Sequence, residues 1–204
     1  MATFTPFGCT FHTETLDIDT EGLRDAPHVD QDYTFKERGI EYEDMYRVLE
    51  KFPVVRDAIE DRFNTWWNKT FGPGKFWITT SWTTKMRSGE SIRLHRHKNA
   101  VYSGLYYYGN YTNQSGPLKF QNPIPELLFT NLWFNRSTKA GTLFQDWEIA
   151  PKKNLLVFFP AHIAHTCEAI NAPERVSLAF NVMPCKLGFR SDSHFDPAWF
   201  NDRE

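Results

Sequence analysis

The sequence predicts a mainly β protein, a sandwich, jelly roll or closed antiparallel barrel, with two N-terminal helices packed on one sheet. Three observations lead there. Apolar residues recur at three- and four-residue steps between Glu41 and Phe71. From Lys75 onward, short segments rich in Phe, Tyr, Ile, Val and Thr alternate with clusters of Gly, Pro, Asn and Ser. No helical pattern separates those segments, which excludes the strand and helix alternation that builds a parallel α/β sheet. The 204 residues fit one domain, with 1–75 as a strand, loop and helical layer, 76–185 as the β core and 186–204 as a tail.

Taken in order, Leu16 and Ile18 alternate with polar neighbours, as a short strand requires. Tyr42, Met45, Tyr46 and Leu49 then share one helical face. Beyond Pro53 the helical steps continue through Val54, Val55, Ala58, Ile59, Phe63, Trp66 and Trp67. Pro53 ends the first helix and suits the first turn of the second, which Gly72, Pro73 and Gly74 terminate. The Trp pair is read as packing against a sheet. About eight strands are expected: FWITTSWTTKMR, SIRLHRH, VYSGLYYYG, GPLKFQNP, TLFQDWEIAP, NLLVFFPA, HTCEAI and RVSLAFNVMP. Ile124 to Ala140 forms a long connection, and connections of that length often cover a binding site. The glycines of FGPGKF lack phosphate-loop spacing and read as a turn.

Composition excludes several function classes. Lys plus Arg number 23 and Asp plus Glu 25, a net charge of −2 without long runs of either sign. That disfavours a nucleic-acid partner bound through a general basic surface. With 41% hydrophobic residues, including 18 Phe, 8 Tyr and 7 Trp, the chain can bury a large core and is not a disordered polymer. No stretch reaches the roughly 20 apolar residues of a membrane span, and the N-terminus lacks a secretory pattern. Cys9, Cys167 and Cys185 lie at long spacings without a Cys-x-x-Cys pair, so reduced thiols and a cytoplasmic location are expected. Without a secretion signal, the Asn-x-Ser/Thr matches at Asn68, Asn110, Asn113 and Asn135 carry no weight.

Three histidines point to metal chemistry. On a strand, His95 and His97 project from the same face and can chelate together. His165 follows a buried-looking strand and a proline in NLLVFFPAHIAH. Three imidazoles leave coordination positions open, as a catalytic Fe(II), Mn or Zn site requires. A His-x-His pair alone is more commonly a surface feature. What changes that reading is RVSLAFNV, where Arg175, Ser177, Ala179 and Asn181 share one strand face and Val176, Leu178 and Phe180 the other. A guanidinium fork beside a hydroxyl suits the far carboxylate of a small diacid.

These segments resemble the Fe(II)- and 2-oxoglutarate-dependent oxygenases over roughly Thr79 to Met183. LHRHKNAVYSGLYYYGN, GPLKFQNP, FFPAHIAH and RVSLAFNV are similar in order and spacing to a bacterial and phage branch with a His-x-His motif. The resemblance implies a double-stranded β-helix of the jelly-roll or cupin type. It also implies iron held by His95, His97 and His165, with the co-substrate 2-oxoglutarate reaching Arg175 and Ser177, and dioxygen as the oxidant. Tyr106 and Tyr108 are further candidates to hold the co-substrate, and Asn181 to line its pocket. Most of the superfamily has a carboxylate two residues after the first His; here that position is His97, and counting from His97 it is Asn99. A carboxylate recruited from elsewhere, such as Asp146, is the alternative.

The resemblance implies hydroxylation of a C–H bond in a second substrate, with a prolyl or other peptide side chain as the named expectation. Two rivals stand beside it, a three-His cupin-type metalloenzyme that does not use 2-oxoglutarate and a non-catalytic jelly-roll binding or virion module. Lys119 reads as solvated and His162 as a loop residue at the barrel mouth. His12, His28 and His194 receive no role, and Cys167 is read as packing.

Overall fold

A computed structural model of the protein describes residues 1–29, 45–123 and 146–186. Its strands are β1 (Ala2–Phe4), β2 (Phe11–Thr15), β3 (His28–Val29), β4 (Phe76–Arg87), β5 (Ile92–His95), β6 (Tyr102–Tyr107), β7 (Leu118–Phe120), β8 (Trp147–Ile149), β9 (Leu155–Pro160), β10 (His165–Cys167) and β11 (Glu174–Pro184), with one long helix, α1 (Pro53–Phe71). A seven-stranded sheet in the order β1-β2-β9-β6-β11-β4-β3 faces a four-stranded sheet in the order β5-β10-β7-β8. All pairings are antiparallel except β3 with β4. Two facing antiparallel sheets are the mainly β, jelly-roll architecture expected from the sequence.

The helix α1 begins at Pro53, whose missing N–H costs nothing in a first turn, and ends before Gly72, whose φ of 102° lies in the left-handed region. Val55, Ile59, Phe63 and Trp66 face the larger sheet, each at most 5% exposed. Burial of such a side chain stabilises by roughly 1.5–3 kcal/mol relative to exposure. Phe63 meets Phe76, Tyr102 and Phe158 edge-on, so the helix is keyed to strands β4, β6 and β9.

The preceding helix differs from expectation. Met45 and Tyr46 are helical, but Arg47 forms an isolated bridge with Ser81 and residues 48–50 turn as a 3₁₀ helix. The Leu49 N–H donates to Ser81 Oγ at 2.8 Å rather than to a helical carbonyl, so the edge of β4 ends the α-helix early. Residues 41–44, the connection from Ile124 to Ala140, and His194 lie outside the described residues. The N-terminal strand also starts earlier than expected. It ends at Thr15, and Leu16 then turns into the core while its N–H donates to Asn154 O at 2.8 Å. Among the described residues, no helix is long and apolar enough to cross a membrane.

Strict alternation along β6 divides the core. Tyr102, Tyr106 and Tyr108 pack on the α1 side, whereas Tyr107 joins Phe11, Phe120 and Phe159 between the sheets. Gly104 permits this density, since a Cβ there would lie 2.2 Å from the Phe180 ring and 2.7 Å from Val157 O. The candidate site residues sit between the two sheets, on the face opposite α1.

Candidate metal and co-substrate site

Strand register brings the histidines together. His165, opening β10, pairs directly with His95 at the end of β5. His97 lies beyond β5, held by its N–H donating to Ala161 O at 3.0 Å. The expected strand pair is therefore a strand residue and a loop residue whose rings still stack, with centroids 5.2 Å apart. One ligand atom from each of the three histidines lies within 4.8 Å of the others. The Nε2 atoms of His95 and His97 are 3.3 Å apart, a separation that suits a shared ion about 2.1 Å from each.

Each imidazole is anchored through its other nitrogen. His95 Nδ1 meets Arg93 O at 2.8 Å and His165 Nδ1 meets Ile163 O at 3.0 Å, so both carry the proton on Nδ1. His97 Nδ1 meets Asn181 Oδ1 at 2.5 Å. With Nδ1 protonated, the Nε2 lone pairs turn inward, the arrangement that orients histidine ligands in metal sites. Burial lowers the pKa of His95, takes that of His97 down to about 4, and puts that of His165 well below the ordinary range. All three are neutral donors near pH 7, and neutral imidazoles suit iron and its first-row neighbours.

No carboxylate joins this cluster among the described residues. Asp146 lies elsewhere, accepting from Asn122 N at 3.1 Å and facing Lys119 at 3.7 Å. The site is one negative charge short of a two-His, one-carboxylate triad.

A cavity runs from the histidines to Arg175 and Ser177 on β11, walled by Trp82, Thr84, Leu105 and Phe159. Arg175 is 1% exposed, yet no carboxylate pairs with it among the described residues and its Nε has no partner. Its Nη2 donates to Tyr107 OH at 2.9 Å and its Nη1 contacts Met86 Sδ at 3.5 Å. A guanidinium stays charged at any ordinary pH, so this is a buried cation whose charge no described carboxylate offsets. Ser177 Oγ lies 2.7 Å from Thr84 Oγ1, its cross-strand partner on β4. These groups fit the far carboxylate of a diacid.

The structure brings His95, His97, His165, Arg175 and Ser177 to one cavity and does not bring Tyr106 or Tyr108 there. The Tyr106 hydroxyl donates to Leu16 O at 2.9 Å on the helix side, and Tyr108 is buried on that side too. The phenol that touches Arg175 is Tyr107, on the opposite face of β6 from Tyr106 and not among the candidates drawn from the sequence. Burial raises its pKa, so it keeps its proton. Asn181 holds His97 rather than lining the co-substrate end. Lys119 pairs with Glu168 at 3.1 Å, and His162 lies 3.8 Å from Cys9 Sγ. His12 stacks between Trp66 and Phe158 in the core, and His28 meets Thr83 Oγ1 at 2.8 Å.

The sequence profile of a family described as "Putative 2OG-Fe(II) oxygenase" matches residues 80–181, half of the chain. The chain belongs to that family. No curated protein matches it by sequence. Similar solved structures include an oxidoreductase of the 2OG-Fe(II) oxygenase family from Burkholderia pseudomallei, at 13% identity and a TM-score of 0.47, covering 64% of this chain and 55% of that one. A prolyl-4-hydroxylase from Pseudomonas putida matches at 15% identity and a TM-score of 0.42, covering 62% and 64%. The α-ketoglutarate-dependent epimerase SnoN of nogalamycin biosynthesis matches at 12% identity and a TM-score of 0.49, covering 67% and 58%. The chain thus spans between 55% and 64% of the length of these three proteins.

Proposed function

We propose that the protein is an Fe(II)- and 2-oxoglutarate-dependent dioxygenase that hydroxylates a C–H bond of a second substrate. One observation carries this reading, the meeting in one cavity of three inward-facing imidazoles and a buried Arg175 with no carboxylate partner among the described residues. His95, His97 and His165 would hold iron through Nε2. Arg175 and Ser177 would bind the distal carboxylate of 2-oxoglutarate. When bound, iron, 2-oxoglutarate and dioxygen supply the oxidising chemistry, which releases succinate and carbon dioxide and delivers one oxygen atom to the substrate.

The chain's own residues orient and exclude. The Nδ1 hydrogen bonds aim the three ligands, and Tyr107 fixes the guanidinium. Phe159, Leu105 and Trp82 wall the cavity against water, which strengthens the charge interaction at Arg175 and protects the oxidant. A second pocket shares His95, His97 and Trp82 with the first but not Arg175; its remaining walls include Tyr46, Lys98 and Asn99. Tyr46 and Trp82 stand 5.6 Å apart there, an aromatic wall suited to an aliphatic ring. We assign a prolyl or other peptide side chain to that pocket.

The test is incubation of the iron-loaded protein with 2-oxoglutarate, dioxygen and a peptide library. Succinate release with a mass gain of one oxygen on prolyl members is expected. Succinate release without a modified peptide would reject the peptide assignment, and metal binding without any 2-oxoglutarate consumption would reject the dioxygenase reading.

A further inference from the structure

Of the three imidazoles, His97 is held by side chains where His95 and His165 have backbone carbonyls at Nδ1. Asn181 on β11 pairs in register with Thr80 on β4 and with Ser103 on β6, so the three residues form a polar row across the large sheet. The pairing of β11 with β4 shifts register between Asn181 and Val182, a kind of irregularity that re-aims side chains beside functional sites. Asn181 Nδ2 donates to Thr80 Oγ1 at 2.9 Å, and in this orientation the amide oxygen faces the histidine. Ser103 Oγ lies 2.8 Å from Asn181 Oδ1 and 2.8 Å from His97 Nδ1.

With the amide so oriented, one proton arrangement remains. An amide oxygen 2.5 Å from Nδ1 requires a hydrogen between them, because two lone pairs at that distance repel. An amide oxygen carries none, so the hydrogen belongs to Nδ1. The Ser103 hydroxyl is then a donor to Asn181 Oδ1 and a second acceptor for Nδ1–H. With the amide in this orientation, every polar atom of the row is satisfied when His97 has Nδ1 protonated and Nε2 bare.

We propose that Asn181, supported by Ser103, is the positioning residue that fixes His97 in its Nδ1–H tautomer and thereby makes its Nε2 a metal ligand. This rests on the reading of the three imidazoles as a metal site. Neutral residues here do the orienting that a carboxylate often does for a ligating histidine. Because their contacts come from side chains, the tautomer of His97 is open to substitution in a way that the backbone-anchored histidines are not.

The test reads the metal-free protein first. Histidine nitrogen chemical shifts at neutral pH should show His97 as a single Nδ1–H tautomer in wild type, a mixture in Asn181→Leu, and the single tautomer again in Asn181→Asp, whose carboxylate accepts the same hydrogen. Anaerobic Co(II) titration should show affinity about 10- to 100-fold weaker for Asn181→Leu, with recovery in Asn181→Asp. Far-UV spectra and melting temperatures accompany each variant. Should Asn181→Leu not fold, Ser103→Ala carries the same prediction of tautomer mixing with a smaller loss of affinity. Wild-type His97 in the Nε2–H form overturns the proposal, as does a folded Asn181→Leu with an unchanged tautomer and Co(II) affinity within twofold of wild type. The expected tautomer in a wild-type protein that binds neither Co(II) nor Fe(II) overturns the metal-site reading instead, and the proposal with it.

Discussion

Replacing Arg175 with Met keeps most of the side chain's length and removes its charge. In the wild type the guanidinium is 1% exposed, tied to Tyr107 at 2.9 Å, and has an unpartnered Nε. Two effects of opposite sign act on the fold without co-substrate. The substitution removes a buried unsatisfied donor, which costs about 1–3 kcal/mol, but it strands the Tyr107 hydroxyl at a similar cost. The folded protein without co-substrate should therefore change in stability by no more than about 2 kcal/mol. Binding is affected far more, because losing one partner of a buried charge pair costs about 3–5 kcal/mol. That weakens 2-oxoglutarate by about two to nearly four orders of magnitude. Thermal and denaturant unfolding with and without 2-oxoglutarate separates the two effects. At a hundredfold excess over Kd the iron-loaded wild type should gain about 2.7 kcal/mol, and Arg175→Met no more than about 0.4 kcal/mol at that concentration. A variant that binds 2-oxoglutarate within threefold of wild type would refute the assignment of Arg175. So would a loss of more than about 4 kcal/mol in the unliganded variant, since the guanidinium would then be a structural ion.

Four further outcomes are expected. His165→Ala should lose iron binding and turnover together, measured by metal titration and succinate release; full activity in this variant contradicts the site. Tyr107→Phe should weaken 2-oxoglutarate by about tenfold through the lost hydrogen bond to Arg175, whereas Tyr106→Phe should leave affinity unchanged and cost about 1 kcal/mol of stability. Stability of the metal-free protein should fall with acid. The unfolded chain takes up protons on its histidines below about pH 6.5, while the folded chain keeps His97 neutral down to about pH 4, so this window carries a loss of about 3 kcal/mol from His97 alone. His95 and His165 shift in the same direction, and an urea midpoint unchanged between pH 7.5 and 4.5 would count against it. Gly104→Ala should destabilise by about 1–3 kcal/mol in denaturant unfolding, because its Cβ would meet the buried Phe180 ring and the Val157 carbonyl.

Much of the site could be read from the chain because its signals are local. Alternation along RVSLAFNV separates Arg175 and Ser177 from Val176 and Leu178, and the folded strand keeps that division. Pro53 and Gly72 bound α1 by chemistry that needs no tertiary partner. What could not be read depends on contacts between elements. In VYSGLYYYG both alternating rows carry tyrosines, so the phase that puts Tyr107 between the sheets is set by neighbouring strands, not by the segment itself. The one clue was Ser103, two steps from Leu105 and four from Tyr107 on the row that faces Asn181. The early end of the first helix likewise depends on Ser81, more than thirty residues away, capturing the Leu49 N–H. The role of Asn181 emerges only when register sets it between Thr80 and Ser103.

Whether the three imidazoles and Arg175 form an iron and 2-oxoglutarate site is tested most directly by an anaerobic titration of the protein with Fe(II) and 2-oxoglutarate, following the visible charge-transfer band that forms when the keto acid chelates protein-bound iron. A saturable band is expected in the wild type, absent in His165→Ala and shifted to much higher 2-oxoglutarate concentrations in Arg175→Met. Iron binding with no such band at saturating 2-oxoglutarate would contradict that site.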